Sequence, residues 1–179
     1  MVADRMILQG PLILPHGMVE MGEVVVEAGR IAEISLQPVH AVPTIKLTEQ
    51  WISPGLIDMH VHGGQGFDVM DGTEDALIAI SQDLARHGTT GFLATTLTAG
   101  EEALHQTFDA IKRFRLRPEA AGGAEIVGVH MEGPFLSAAY QGAQNPAFLR
   151  APSVLEMDRH AQQLGPLLKM MTIAPELEG

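Results

Sequence analysis

Residues 54–98 read PGLIDMHVHGGQGFDVMDGTEDALIAISQDLARHGTTGFLATTLT, and the change of texture along them decides the fold class. LIDMHVH is an apolar run stopped by glycines, a strand candidate buried in a sheet. Thr73 then stands where an N-cap belongs, with Glu74 and Asp75 in the first turn behind it. Leu77, Ile80, Leu84 and Ala85 recur at helical spacing, and Gly88 provides the stop. TTGFLATTLT is apolar and β-branched again.

The rhythm continues to the end of the chain. TAGEEALHQTFDAIKRF, residues 98–114, sets Thr98 and Glu101 at the spacing of a capping box and puts Leu104, Ile111 and Phe114 on one helix face. AEIVGVHMEGP (124–134) reads as a third strand, PSVLEMDRHAQQLG (152–165) as a helix and LLKMMTIAPE (167–176) as a fourth strand. Nearly uniform apolar strands alternating with helices imply a parallel sheet covered by helices. A closed eightfold barrel takes roughly 250 residues. Residues 51–179 therefore predict either the first half of a barrel, about four βα units, or an open four-stranded sheet. Upstream, RMILQG, EVVVEAG, RIAEISL and PTIKL are short strands between turn residues, with a hairpin at Ala28-Gly29-Arg30. Residues 1–50 are expected to form a small separate β lobe.

Composition narrows the function. The formal charge is −11 and no basic run offsets it, which argues against nucleic-acid and anionic-membrane surfaces. There is no cysteine, so a metal would have to be held by histidine and carboxylate. No apolar run approaches the ~20 residues of a membrane span. The start, MVADRMILQGPLILPHG, carries Asp4 and Arg5 and interrupts its apolar part with Gly10 and Pro11, a poor signal peptide. The expectation is a cytoplasmic protein.

Three groups could carry chemistry. His60 and His62 share a strand face at the strand's carboxyl end, where barrel enzymes keep their sites, and two neutral imidazoles one pleat apart can bind one cation. Asp68 and Asp71 follow in the loop. His130 and Glu132 share a face of the third strand, and Gly133-Pro134 stops that strand directly after the carboxylate. The alternative is that Glu132 is salt-bridged to an arginine such as Arg150. In QGAQNPAFLR, residues 141–150, Gly142 frees the backbone, and Ala143 and Gln144 could offer an amide N–H and a carboxamide to a ligand; an ordinary turn is the plainer reading. His87 suits a helix C-terminus, while His16, His40, His105 and His160 are expected on the surface. The ten methionines are scattered, as core fillers would be. Lys169 starts the fourth strand, far from its carboxyl end; Glu176 is at the correct end.

PGLIDMHVHGG resembles the first metal-binding strand of the amidohydrolase superfamily. HMEGPFLSAAYQGAQNP followed by TIAPE is more specific and resembles the N-acetylglucosamine-6-phosphate deacetylase family, along the N-terminal half only. The resemblance implies a TIM-type (β/α)8 barrel preceded by a small β-sandwich lobe, and metal-dependent hydrolysis of the acetamide of N-acetylglucosamine 6-phosphate. It implies that Glu132 is a metal ligand, joined here by His60 and His62. It places Ala143 and Gln144 at the sugar-contacting loop and implies one or two divalent ions, zinc or iron. The partners it implies are a small amino-sugar phosphate and a second copy in a homodimer. The family's two later histidine ligands and its acid/base aspartate fall beyond residue 179, so this polypeptide alone is expected to be inactive, whether fragment or truncated relative.

Overall fold

The computed structural model describes residues 5–41, 43–116 and 122–178; Asp4 and Gly179 lie outside them. The chain divides into two compact units, residues 1–54 and 55–179.

The first unit is a four-stranded sheet. β1 (Arg5–Leu14), β2 (Gly17–Glu27) and β3 (Arg30–Ser35) form an antiparallel meander, and the short β4 (Ile45–Lys46) runs parallel to β1 on its other edge. The β2–β3 turn has two residues, Ala28 at φ 47° and Gly29 at φ 74°, between the paired Glu27 and Arg30. Two positive φ values in succession match the right-handed twist of a hairpin, so a glycine belongs there. Glu23 fastens the segment after β3 to this sheet. It accepts from the backbone N–H groups of Val39 (3.3 Å) and His40 (3.1 Å) and from Gln9 Nε2 (3.4 Å), and it pairs with the His40 ring. Burial pushes the Glu23 carboxyl up, but the bonds from His40, Val39 and Gln9 outweigh it and hold the group below its ordinary value. His40 is thus a buried carboxylate's partner, not a free surface residue.

The second unit is mixed α/β, with a parallel sheet that forms half a barrel wall. β5 (Leu56–Val61) leads into the two-residue strands β6 (Gly63–Gly64) and β7 (Phe67–Asp68), which pair with each other. Then come α1 (Glu74–Arg86), β8 (Thr89–Thr96), α2 (Glu101–Arg115), β9 (Glu125–Glu132), α3 (Val154–Leu164) and β10 (Leu168–Thr172). The sheet order is β10-β9-β8-β5, every pair parallel. Phe92, Ile126, Val129 and Met131 of the sheet pack in one core with Leu77 and Ile80 of α1 and Leu104, Phe108 and Ile111 of α2.

Further expectations are corrected. β5 is not a uniformly buried strand: Leu56, Ile57 and Met59 are 63%, 68% and 61% exposed, while Val61 is buried, and among the described residues β5 pairs with β8 alone, at the edge of the sheet. Thr98 and Glu101 form no capping box; α2 starts from Gly100 without a side-chain cap, because Thr98 gives its N–H to Gln144 and stays in the exit of β8. His160 is fully buried, stacked edge-on against His105 and Phe108 of α2 and bonded through Nε2 to Glu156 (3.2 Å), one helical turn earlier. His105 itself is half-buried.

Burial pushes the His160 imidazole below its ordinary value, and His105 adds to this; Glu156 and Glu101 pull the other way without prevailing, and Arg150 neutralises much of Glu156. An unfolded chain protonates histidine near 6.5, so below that pH the unfolded state binds more protons than the folded one. Stability is therefore expected to fall on acidification from about pH 7.5 to about pH 5.5, and His160→Gln should flatten that slope. Urea unfolding of a full-length protein carrying this chain, at both pH values, measures it; equal slopes would remove His160 from the account.

Candidate metal centre

His60 and His62 sit at the carboxyl end of β5 and Glu132 is the last residue of β9, two strands away across β8. Their donor atoms all lie within 4.8 Å of one another. Glu132 Oε2 is 2.8 Å from His62 Nε2 and 3.4 Å from His60 Nε2, and the two imidazole Nε2 atoms are 2.9 Å apart. The alternative partner of Glu132 is excluded, since Arg150 is committed to Glu156.

The surrounding bonds decide what this cluster can hold. His62 Nδ1 donates to the Thr95 carbonyl (3.2 Å), which leaves the lone pair of Nε2 facing the Glu132 carboxylate. Two lone pairs at hydrogen-bond distance repel unless a proton or a cation lies between them. An N–H bound to a carbonyl on the far side of a ligating imidazole is also the usual arrangement around a metal. The donor set of two nitrogens and a carboxylate oxygen therefore fits a divalent ion.

His130 belongs to the frame of the cluster. Its Nδ1 donates to the Met59 carbonyl (3.2 Å) and its Nε2 accepts from the Thr172 hydroxyl (2.8 Å), so one ring ties β9 to β5 and β10. Burial and the neighbouring His60 and His62 rings push this imidazole below its ordinary value, against the pull of the Met59 bond and Glu132. The neutral ring that results suits both bonds. Thr95 adds a further support: its hydroxyl accepts the Val61 N–H (2.9 Å) between the two histidines. Thr95 and Thr172 gave no signal in the sequence, because their roles depend on strand register.

The remaining candidates separate. Asp68 and Asp71 cap each other's backbone around a one-turn 3-10 helix and do not join the cluster. Lys169 stands three residues before Thr172, the register partner of Glu132, which is about 10 Å along the strand. Glu176 is exposed past the carboxyl end of β10. Gly133, at φ 80°, must be glycine: a Cβ there would lie 2.2 Å from Thr98 Oγ1. In the following loop Ala143 is exposed, whereas Gln144 is buried and spends its carboxamide oxygen on the Thr98 N–H (2.7 Å).

A parallel half-barrel that brings two imidazoles and a carboxylate together at its strand ends has the frame of a metal-dependent barrel hydrolase. The model of the Amidohydrolase family matches residues 51–176, and the chain belongs to that family. It is 32% identical over 169 residues to the N-acetylglucosamine-6-phosphate deacetylase of Bacillus subtilis (strain 168), covering 92% of this chain and 43% of that protein. It is 34% identical over 154 residues to the N-acetylgalactosamine-6-phosphate deacetylase of Escherichia coli O157:H7, covering 84% and 40%. A structure of N-acetyl-D-glucosamine-6-phosphate deacetylase from Mycobacterium smegmatis, a mutant in complex with N-acetyl-D-glucosamine-6-phosphate, superposes with a TM-score of 0.87 at 28% identity. That match covers 99% of this chain and 45% of the other. The chain spans less than half the length of these relatives. No helix among the described residues is long and apolar enough to cross a membrane.

Proposed function

We propose that this chain is the N-terminal part of a metal-dependent deacetylase that hydrolyses N-acetylglucosamine 6-phosphate to glucosamine 6-phosphate and acetate. The observation that carries the reading is the convergence of His60, His62 and Glu132 on one point at the carboxyl ends of β5 and β9. The likeness to deacetylases over nearly the whole chain supports the substrate class.

His60, His62 and Glu132 would hold zinc or iron, as one ion or two. A bound divalent ion supplies a Lewis acid that polarises the acetamide carbonyl and brings the pKa of water toward ~7. The protein groups prepare the site. Thr95 fixes the tautomer of His62, His130 braces β5 against β9, and Gly133 turns the chain sharply after Glu132. On this reading the loop beyond it carries Ala143 and Gln144 toward the sugar; Gln144 spends its carboxamide oxygen on the Thr98 N–H, while its backbone N–H goes to the Gln141 carbonyl (3.2 Å) and its carbonyl accepts from Gln141 Nε2 (3.2 Å). The reading further assigns residues 1–50 to a β-sandwich lobe and residues 51–179 to the first four βα units of a TIM-type barrel. It expects the whole protein to be a cytoplasmic homodimer.

The 34% identity to an N-acetylgalactosamine-6-phosphate deacetylase favours a second reading, the same chemistry on the epimeric sugar. Acetate release by a full-length protein carrying this chain, from each sugar phosphate and after chelation, tests both. The expected result is metal-dependent release, faster from the gluco epimer. Preference for the galacto epimer would select the second reading, and no release from either would overturn both.

A further inference from the structure

The loop 133–150 leaves β9 directly after Glu132 and is fastened at two points to residues 98 and 99, in the connection from β8 to α2. Gln144 makes the first fastening, through the Thr98 N–H (2.7 Å). Arg150 makes the second. Its Nη1 donates to the Ala99 carbonyl (3.1 Å) and to the Phe148 carbonyl (2.8 Å). Its Nε donates to both carboxylate oxygens of Glu156 (3.0 and 2.9 Å), and its Nη2 also reaches Glu156. All three guanidinium nitrogens are engaged within the fold. Glu156 is buried in the first turn of α3, where Ser153 caps the helix, and it accepts a further bond from His160 (3.2 Å).

A buried ion pair gains little stability over well-packed apolar groups, because removing both charges from water costs about as much as their attraction returns. What it adds is direction. Three nitrogens in a rigid plane accept one arrangement of Glu156, Ala99 and Phe148. That arrangement fixes where the loop re-enters α3.

We propose that Arg150 and Glu156 are positioning residues: through Ala99 and Phe148 they set the loop 133–150 so that Ala143 and Gln144 stand at the carboxyl ends of β8 and β9. The proposal rests on the deacetylase reading for its kinetic consequence, but not for its structural one. An arginine clamp that aims a substrate loop acts on substrate binding and leaves the metal ligands alone. Lysine is the discriminating substitution. As a single point charge it keeps the pair with Glu156 but cannot hold Ala99 and Phe148 at the same time.

The test uses a full-length protein carrying this chain, with Arg150→Lys and Arg150→Met. Both variants should raise KM for N-acetylglucosamine 6-phosphate about tenfold or more, with kcat within about threefold and metal content unchanged. R150K should recover most of the thermal stability that R150M loses, yet keep the raised KM. A KM that recovers together with stability would reduce Arg150 to a fold-stabilising residue and overturn the proposal, as would a fall in kcat with loss of metal. Amide hydrogen exchange over residues 136–149 provides the reading that needs no turnover. If the parent protein hydrolyses neither sugar phosphate, the deacetylase reading fails. Exchange at least about tenfold faster in R150K still supports the clamp, and unchanged exchange overturns it. Should R150M not fold, R150K alone decides.

Discussion

Glu132→Gln is expected to lower kcat/KM for deacetylation in a full-length protein by at least about 10²-fold and to lower its metal content, because a ligand carboxylate has no local substitute. The substitution keeps the shape of the side chain and removes its charge. Glu132 Oε2 stands 2.8 Å from His62 Nε2, so a glutamine amide placed there can donate to that lone pair. The cluster then becomes a satisfied hydrogen-bonded group, with no repulsion left for a cation to relieve. The fold should be undisturbed, and thermal unfolding without metal should match the parent or exceed it. Acetate release and elemental analysis on the same preparation give the answer. Near-normal turnover with unchanged metal content would refute the ligand role. Lost turnover with a lowered unfolding temperature would point to a structural carboxylate instead.

The parts of this site that were legible in the sequence are those that depend on one strand. His60 and His62 share a face by strand periodicity alone, and Glu132 is placed by the Gly-Pro stop behind it. What joins the two strands was not legible. His130, Thr95 and Thr172 act through pairings between residues 33 to 71 positions apart, and register at that range leaves no local trace. Thr98 shows the converse case. The pattern Thr-x-x-Glu before an apolar helix is a sound N-terminal signal, yet a contact from Gln144, 46 residues away, takes the Thr98 N–H and the helix begins later. His160 is buried against the surface position expected of it, although a signal for burial is present in the sequence. Glu156 lies four residues earlier on the same helix, and an imidazole with a carboxylate at that spacing can be buried at acceptable cost. β5 is apolar, but an apolar run does not say which of its side chains are covered; Ile57 is 68% exposed and Val61 is buried.

The 179-residue polypeptide produced by itself is expected to self-associate and to show no hydrolysis of N-acetylglucosamine 6-phosphate above background. In the described sheet β5 and β10 each pair on one side only, which leaves two open edges with unpaired backbone groups. The outer edge carries Leu56, Ile57 and Met59, all mostly exposed, in adjacent and alternate positions along one strand. Each such side chain loses about 1.5–3 kcal/mol relative to burial, so pairing of two copies along β5 has a substantial driving force. The first unit adds Met18, Ile31 and Leu36, exposed at 71%, 64% and 64%. Chemistry fails for a different reason. Among the described residues the metal-competent cluster is His60, His62 and Glu132, and no carboxylic acid in it is free to protonate a departing amine. On the proposed deacetylase reading, that acid and two further ligands are expected outside this stretch. Light scattering on the purified chain, with acetate release measured in the presence of zinc or iron(II), separates the two failures. Self-association without turnover is the expected outcome. A monodisperse chain without turnover would locate the error in the edge argument alone, and a monodisperse chain with metal-dependent turnover would show that three ligands on half a barrel suffice.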